Sequence, residues 1–448
     1  MAINLTTLIQ KGRLKPVILG GGYGGRLNAV CDPQRNRYPI AKAVVPIGSK
    51  RSIDYSLDPL KKIGLDRAFI TVWHLAHTIE RIVRPKDGFR PEYISERYQD
   101  PLDTAGPVAS VAKNRDWDSN QENIILVQSS DIVHNVPLDL ILENHLSSGA
   151  AATITVNRYP WDQIHRFGTV RLKGMPERKN YRTEIEFEDA VGTWIRENQN
   201  ASAKIVEFQE KRPRFDNDQN DACLSNLTNS SIYIFNALVL RTLLTMMTKK
   251  GKEDPLFPDL YQPGGPVPFS DWGRHIFKWL SQPENQLRFP LNAFIIPDQF
   301  YWRDVGFGED IRQVNMDVLA GKIDGGLDRF HREAWGWRGH NVYIDPSARI
   351  DNSLIADNCI IGPKVRIDNS VIGENSQIGQ NSRLYRSVVF PAPYEREGPN
   401  IIKEDSLLNE CLFLGGKLDK GSSFERKMVY SPAGGGAIDS LTKKIEII

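Results

Sequence analysis

Val17-Ile18-Leu19-Gly20-Gly21-Gly22-Tyr23-Gly24-Gly25-Arg26-Leu27 sets a short apolar strand directly ahead of a glycine-rich loop. Glycine lets backbone N–H groups turn toward one point and lets a ligand approach without Cβ interference, which suits phosphate. Arg26 adds a fork of donors, and Lys42, beyond the polar excursion Asp32-Pro33-Gln34-Arg35, adds a point charge. Glycine clusters also make ordinary tight turns, so the weight of this reading comes from what surrounds the loop.

Working outward, residues 56–63 read as a short helix stopped by Gly64, and Ala68-Phe69-Ile70-Thr71-Val72-Trp73 as the next strand. Ile124-Ile125-Leu126-Val127, a helix from near Pro137, and Ala152-Thr153-Ile154-Thr155-Val156 continue the pattern. Continuous apolar strands alternating with amphipathic helices predict a mainly parallel sheet covered on both faces, with ligands at the carboxyl ends of its strands. The glycine loop and Asp131 both fall just past such ends. From Phe167 to about Phe235 the strands lose regularity, which predicts an insertion overhanging the sheet. Within it, Asp216, Asp218 and Asp221 lack the glycine and distal glutamate of a calcium loop and read as solvated. Ala293-Phe294-Ile295-Ile296 is one more strand, followed by Tyr301-Trp302-Arg303-Asp304-Val305-Gly306 and a helix through Ile311, Val314 and Val318. Gly325-Gly326 marks a boundary, with Trp335 and Trp337 expected between two domains.

The last hundred residues repeat. Apolar residues at Ile344, Ile350, Ile355, Ile361, Ile367, Ile372, Ile378, Leu384 and Val389 recur every 17 residues with internal steps of 6, 5 and 6. After an excursion around residues 392–399, Ile401, Leu407, Leu412, Leu418, Phe424 and Val429 read as a second block in the same steps, giving five coils. Near-hexapeptide periodicity with turn residues between predicts a three-sided parallel β-helix, each apolar residue pointing into the prism. Its open ends need a cover or a partner, so a homo-oligomer is expected.

Length and composition agree with two or three domains and small-molecule chemistry: 448 residues carry 57 basic and 55 acidic side chains, net +2. That balance gives no bulk field for nucleic acid or a membrane surface. Met1 to Lys15 holds no apolar run of signal-peptide length, and no stretch is long enough to span a bilayer, so a cytoplasmic protein is expected. Cys31, Cys223, Cys359 and Cys411 lack zinc or disulfide spacing and read as free thiols, without a structural metal.

The glycine loop with Arg26 and Lys42, the Tyr-Trp-Arg-Asp-Val-Gly segment and the hexapeptide β-helix, in that order, resemble the sugar-1-phosphate nucleotidyltransferases over nearly the whole chain. Gly48-Ser49-Lys50-Arg51-Ser52-Ile53-Asp54-Tyr55-Ser56-Leu57 and Asn315-Met316-Asp317 look most like the glucose-1-phosphate adenylyltransferase branch. The resemblance implies an α/β fold: a lead over 1–14, a Rossmann-like, mainly parallel mixed sheet over 15–325, a linker over 326–340 and a left-handed parallel β-helix over 341–448. It implies attack of a sugar 1-phosphate on the α-phosphorus of a nucleoside triphosphate, with pyrophosphate leaving, for glycogen or another glucan. It further implies Mg²⁺ and an allosteric homo-oligomer, with a tetramer plausible.

By the same resemblance, Gly20, Gly21, Gly22 and Gly24 receive the nucleotide, Thr104, Ala105 and Gly106 (after Leu102-Asp103) contact the base, and Arg26 and Lys42 hold the triphosphate. Asp131, in Ser129-Ser130-Asp131, is catalytic and shares the metal with Asp304. Gly168, Glu210, Lys211 and Asn229 form the sugar-phosphate side. Each has a bland alternative: Asp131 as a helix cap, Gly168 as a turn, Lys211 as a solvated charge. Their joint order argues against these. His74 and His77 read as core or surface histidines.

The chain departs from the family's pattern at several places: Ala43 stands where proline follows the lysine, Asp32 to Tyr38 lengthens the loop, Arg212 splits Glu-Lys-Pro, and Phe307 replaces threonine. These leave the charged atoms in place and favour an active enzyme over a regulatory or scaffold subunit of the same fold. An acyltransferase built on the β-helix lacks its general base, since no histidine falls between Ile344 and Val429.

Overall fold

The computed structural model describes residues 4–86, 88–96, 104–115, 117, 120, 122–199, 201–211, 224–237, 239–240, 271–392, 398–430 and 438–440. Leu102, Asp103, Asp216, Asp218, Asp221 and Cys223 lie outside them. The three cysteines among the described residues, Cys31, Cys359 and Cys411, are free and buried.

Alternation along the first strand sets the layers. In β1 (Leu14–Leu19), Val17 and Ile18 are both fully buried but belong to cores on opposite faces, as a period of two requires when a sheet is covered on both sides. One face is covered by α1 (Leu5–Gln10), α2 (Asp54–Lys62), α3 (Ala76–Ile82) and α5 (Leu138–Ser148). The other is covered by α4 (Gly106–Asn114) and α6 (Glu184–Glu197). The remaining strands of the sheet are β2 (Arg67–Val72), β3 (Arg90–Ser95), β4 (Ile124–Ser129), β6 (Ala152–Arg158), β7 (Gly168–Leu172), β8 (Ser202–Glu210), β9 (Leu227–Asn236) and β10 (Leu291–Ile295). A separate two-stranded ribbon joins β5 (Ile132–His134) to β11 (Trp302–Asp304), and α7 (Gly308–Leu319) follows.

The nine strands run in the order β3-β2-β1-β4-β9-β6-β10-β8-β7. Pairs β3–β2, β2–β1, β1–β4 and β6–β10 are parallel; β9 lies antiparallel between β4 and β6, and β8 antiparallel between β10 and β7. The expected overhanging insertion over 167–235 is therefore corrected: β7, β8 and β9 are strands of the sheet itself. Their polar residues misled because they are satisfied inside it. Thr155 of β6 donates to the Ile232 carbonyl (3.1 Å), Thr228 to that of Asn157 (3.2 Å), and Ser225 to that of Val170 (2.6 Å).

Among the described residues three histidines are buried in this unit: His74, whose Nε2 meets the Cys31 carbonyl oxygen (2.7 Å), His145 and His134. His145 of α5 meets Thr153 (2.8 Å) and Asn236 (3.0 Å), while neither ring nitrogen of His134 has a partner among the described residues. Burial lowers His134 and His145 from 6.5 to about 4. The unfolded chain takes up these protons as pH falls through the ordinary histidine value and the folded chain does not, so stability present above it is lost on acidification. A urea midpoint measured at about pH 5 is expected below that at about pH 7, each of these two contributing about 2 kcal/mol.

Among the described residues the β-helix has five coils. Each of two faces stacks five parallel strands, and the third stacks the same number between added end strands. Ile350, Ile367, Leu384, Leu408 and Phe424 form one inward column, and Ile355, Ile372, Val389, Phe413 and Val429 another. The second block is thus corrected by one residue at three places: Ile402, Leu408 and Phe413 point inward, not Ile401, Leu407 and Leu412. Leu407 is 39% exposed, and Leu412 faces the neighbouring unit. Each inward position is doubled by an apolar neighbour, and the corner Gly415-Gly416, with φ of +120° and +109°, closes in one residue fewer. A count from either end alone hides that deletion.

The two units pack along the third face. Val45, Ile47, Tyr55 and, from α7, Ile311, Val314 and Val318 share one core with Leu354, Val371, Val388, Leu412 and Met428. Trp337 joins that shared core, as expected, whereas Trp335 packs on the interior of the prism. Residues 336–338 pair in parallel with Ser353–Ile355 and so form the first layer of the face.

Candidate active site

The chain leaves β1 at Gly20, where a Cβ would stand 2.8 Å from the Thr71 carbonyl oxygen; one on Gly21 would stand 2.6 Å from Glu96 Oε1, while Gly22 faces open space. Gly24 has φ +70°, and a Cβ there would meet Cys31 Sγ at 2.7 Å. This left-handed residue starts the 3₁₀ turn Gly25–Leu27 that carries Arg26. The Arg26 guanidinium lies 4.9 Å over the Phe307 ring, and a Cβ on Gly306 would come within 3.2 Å of it.

The β5–β11 ribbon brings the two carboxylates together. Asp304 sits opposite Ile132 in register, and the Val305 N–H donates to the Asp131 carbonyl (2.9 Å). A strand, not a helix, follows Asp131, which removes the capping alternative. Asp131 Oδ1 accepts from the Ser129 hydroxyl and Oδ2 from Lys42 Nζ. Asp304 Oδ2 accepts from Arg166 Nη2 (3.0 Å), which also pairs with Asp310 Oδ2 (2.7 Å). Burial alone would push the Asp131 carboxyl up, but Lys42 beside it leaves it below the ordinary range. Burial dominates at Asp304 and leaves it raised. Lys42 is held protonated against burial by Asp131 and Asp304 together.

A second cluster forms where β8 ends. Glu210 pairs with Gly168 across β8 and β7, and its carboxylate lies in a slot between two glycines: a Cβ on Gly168 would come within 2.6 Å of Oε2, and one on Gly273 within 2.1 Å. Burial raises the Glu210 carboxyl, with Lys211 pulling it back and Asp271 adding to the rise. Lys211, at φ +49°, reaches Glu210 Oε1 at 3.4 Å and is half exposed. Thr104 donates to Asp271 Oδ2 (3.3 Å) and accepts from the Trp272 N–H (3.0 Å), so the Thr104-Ala105-Gly106 turn adjoins this cluster. Asn229 shapes β9 locally, accepting from the Ser231 N–H (3.0 Å) and donating to Tyr233 Oη (3.0 Å) at an irregularity in the β6 register. Gly168→Ala is expected to cost about 1–3 kcal/mol in thermal or denaturant unfolding, because the new methyl forces Phe208 and Glu210 to shift in a filled slot.

Residues 15–321 match the nucleotidyl transferase family. The chain belongs to that family. Curated relatives include the glucose-1-phosphate adenylyltransferase of Bacillus cereus strain Q1, 25% identical over 371 residues that cover 79% of this chain and 81% of the relative. Those of Bacillus thuringiensis strain Al Hakam and Bacillus anthracis are each 24% identical over the same shares.

Within this nucleotidyl transferase, sequence reading missed Arg166, Asp310 and the role of Phe307. Arg166 lies 4.8 Å over the same Phe307 ring that receives Arg26, so one aromatic side chain positions both guanidiniums. Asp310 accepts from the Gly306 (3.2 Å) and Phe307 (2.9 Å) N–H groups as α7 begins. The signals were present: an aspartate at the third position of a helix, and an arginine two residues before Gly168. Since Phe167 follows Arg166 and packs 5.7 Å from Trp302, this short stretch ties the carboxylate pair to the Glu210 cluster.

No group of three or more His, Cys, Asp or Glu among the described residues is arranged to hold a metal. Mg²⁺ is commonly bound by one or two carboxylates with substrate phosphates completing its shell. Asp131 and Asp304 fit that requirement, each now balanced by a cation.

Proposed function

We propose that the protein transfers a nucleotidyl group from a nucleoside triphosphate, ATP, to a sugar 1-phosphate, glucose 1-phosphate, releasing pyrophosphate and supplying nucleotide sugar for glycogen or another glucan. The observation that carries this reading is the convergence of Lys42–Asp131 and Arg166–Asp304 beside the glycine loop, at the carboxyl ends of β1 and β4. Nucleotidyl transfer asks for in-line positioning and cancellation of charge on phosphate oxygens more than for covalent help.

In this reading, backbone groups of Gly20, Gly21, Gly22 and Gly24 receive the nucleotide, and Thr104, Ala105 and Gly106 border its base. Lys42 exchanges Asp131 for a triphosphate oxygen, and Arg26 moves onto the leaving pyrophosphate. Asp131 and Asp304, freed from their cations, hold Mg²⁺, which when bound neutralises phosphate charge as a Lewis acid. Lys211 holds the sugar phosphate, with Glu210 orienting it, Gly168 leaving room beside it and Asn229 keeping the adjoining turn of β9. Residues 15–325 form the catalytic unit and 341–448 the β-helix, with 336–338 of the connecting segment adding a layer to one of its faces, and its ends suit a homo-oligomer such as a tetramer.

Pyrophosphate release should be measured with Mg²⁺ across a panel of nucleoside triphosphates and sugar 1-phosphates. Release with ATP and glucose 1-phosphate above all other pairs supports the proposal. Release with another pair alone replaces the substrates. Nucleotide binding without release from any pair converts the reading to a regulatory subunit, in which Phe307 holds Arg26 and Arg166 away from phosphate.

A further inference from the structure

At the amino ends of β1 and β2, opposite the glycine loop, lies a cleft of about 650 Å³ whose lining includes Lys11, Arg13, Lys15, Arg67 and Arg115. Among the described residues Glu92 is the single carboxylate of that lining, in a chain whose charges otherwise nearly balance. It is shared by Arg115 (3.0 Å) and Arg67 (3.6 Å). Arg67 also meets Asp66 at 3.4 Å, and Arg13 pairs with Glu122. Lys11 and Lys15 have no carboxylate within ion-pair distance among the described residues; Lys15 Nζ turns back onto the Gly12 carbonyl at 2.5 Å. Burial, and Arg67 beside it, push the Lys15 pKa down. Beneath the cations, Phe69 and Trp117 pack edge to face at 4.7 Å, and Arg115 lies 5.5 Å over Phe69.

We propose that this cleft binds a small polyanion bearing two or more phosphate groups, at a site separate from the glycine loop. Five cations here meet three carboxylates among the described residues, Glu92, Asp66 and Glu122, and leave Lys11 and Lys15 without one. A multiply charged anion relieves their mutual repulsion by accepting from several guanidinium and ammonium donors at once. The volume lies in the range of small-molecule sites. A singly charged carboxylate cannot match both Lys11 and Lys15 and a neutral sugar matches neither, so the ligand carries two or more phosphate groups. Strand β1 carries Lys15 near one end and Gly20 just past the other, about 17 Å away at strand spacing, so one ligand of this size does not occupy both sites.

The test is isothermal titration of inorganic tripolyphosphate into the full chain without divalent metal, comparing wild type with Lys15→Gln/Arg115→Gln and with Lys42→Gln. The expected result is a component of one tripolyphosphate per chain that weakens about tenfold or more in Lys15→Gln/Arg115→Gln. That component persists in Lys42→Gln and fades with added salt. A titration in which Lys15→Gln/Arg115→Gln reproduces the wild type, or in which all binding is lost with Lys42, overturns the proposal. Circular dichroism checks folding; should the double variant unfold, Lys11→Gln/Lys15→Gln replaces it under the same criteria. The readout is binding, so it stands or falls independently of turnover.

Discussion

Asp131→Asn is expected to lower nucleotidyl transfer by about 10³-fold, almost wholly in kcat, while nucleotide binding changes little. Asparagine keeps the size and one acceptor of aspartate but not its charge, so the β5–β11 ribbon and the Ser129 contact can persist. What disappears is the charge opposite Lys42 and half of the carboxylate pair suited to Mg²⁺. Charge stabilisation at the transferring phosphorus is felt mainly in the transition state, which places the loss in kcat. Steady-state kinetics beside a direct nucleotide-binding measurement separates this from misfolding. Equal loss of binding and turnover would mean that Asp131 serves the resting structure instead.

Arg166→Ala is expected to produce the largest loss of stability, about 3–5 kcal/mol at neutral pH. The guanidinium is only 12% exposed and balances two buried carboxylates, Asp304 and Asp310; without it both remain in a poorly solvated site. Asp304 is already raised by burial, and loss of the cation raises it further. A group whose folded pKa lies above its unfolded value costs stability as pH rises through the folded value, so the deficit relative to wild type should be greatest near neutrality and shrink on acidification. Parallel urea titrations of both proteins at several pH values read this directly, and His134 and His145 cancel in the difference. A deficit that grows with acid would show that Arg166 acts through packing alone. Arg166→Lys should recover part of the loss but not the simultaneous contact with both carboxylates.

Legibility of the sequence followed the locality of each signal. The glycine loop, the ends of β1 and β4 and the first block of the β-helix repeat, Ile344 to Val389, are written in short runs, and the structure has them where the runs predict. β7, β8 and β9 were not legible because they are antiparallel strands with hydroxyl and amide side chains satisfied across the sheet, as between Ser225 and Val170. The one-residue slip at Ile402, Leu408 and Phe413 came from apolar neighbours that offered two registers, resolved by the Gly415-Gly416 corner. In the site, Lys42, Asp131 and Asp304 could be named from motifs and were found converging. Arg166 could not, because its partners are 138 and 144 residues away in the chain.

The face of the prism beneath the nucleotidyl transferase unit is periodic, and a periodic surface offers a docked partner several nearly equivalent berths, about 4.8 Å apart. Hydrophobic contact by Leu354, Val371, Val388 and Leu412 alone would tolerate a slip of one coil. Aperiodic contacts at the near end choose among the berths: Arg329 reaches Asp357 (3.3 Å) and Glu374 (2.7 Å), and Gly336 passes Ser353 so closely that a Cβ would lie 2.0 Å from its carbonyl oxygen. Evolution can therefore lengthen or trim the prism at its far end as one adds or removes links from a chain, while the first coil is fixed as the datum from which the rest of the molecule is measured.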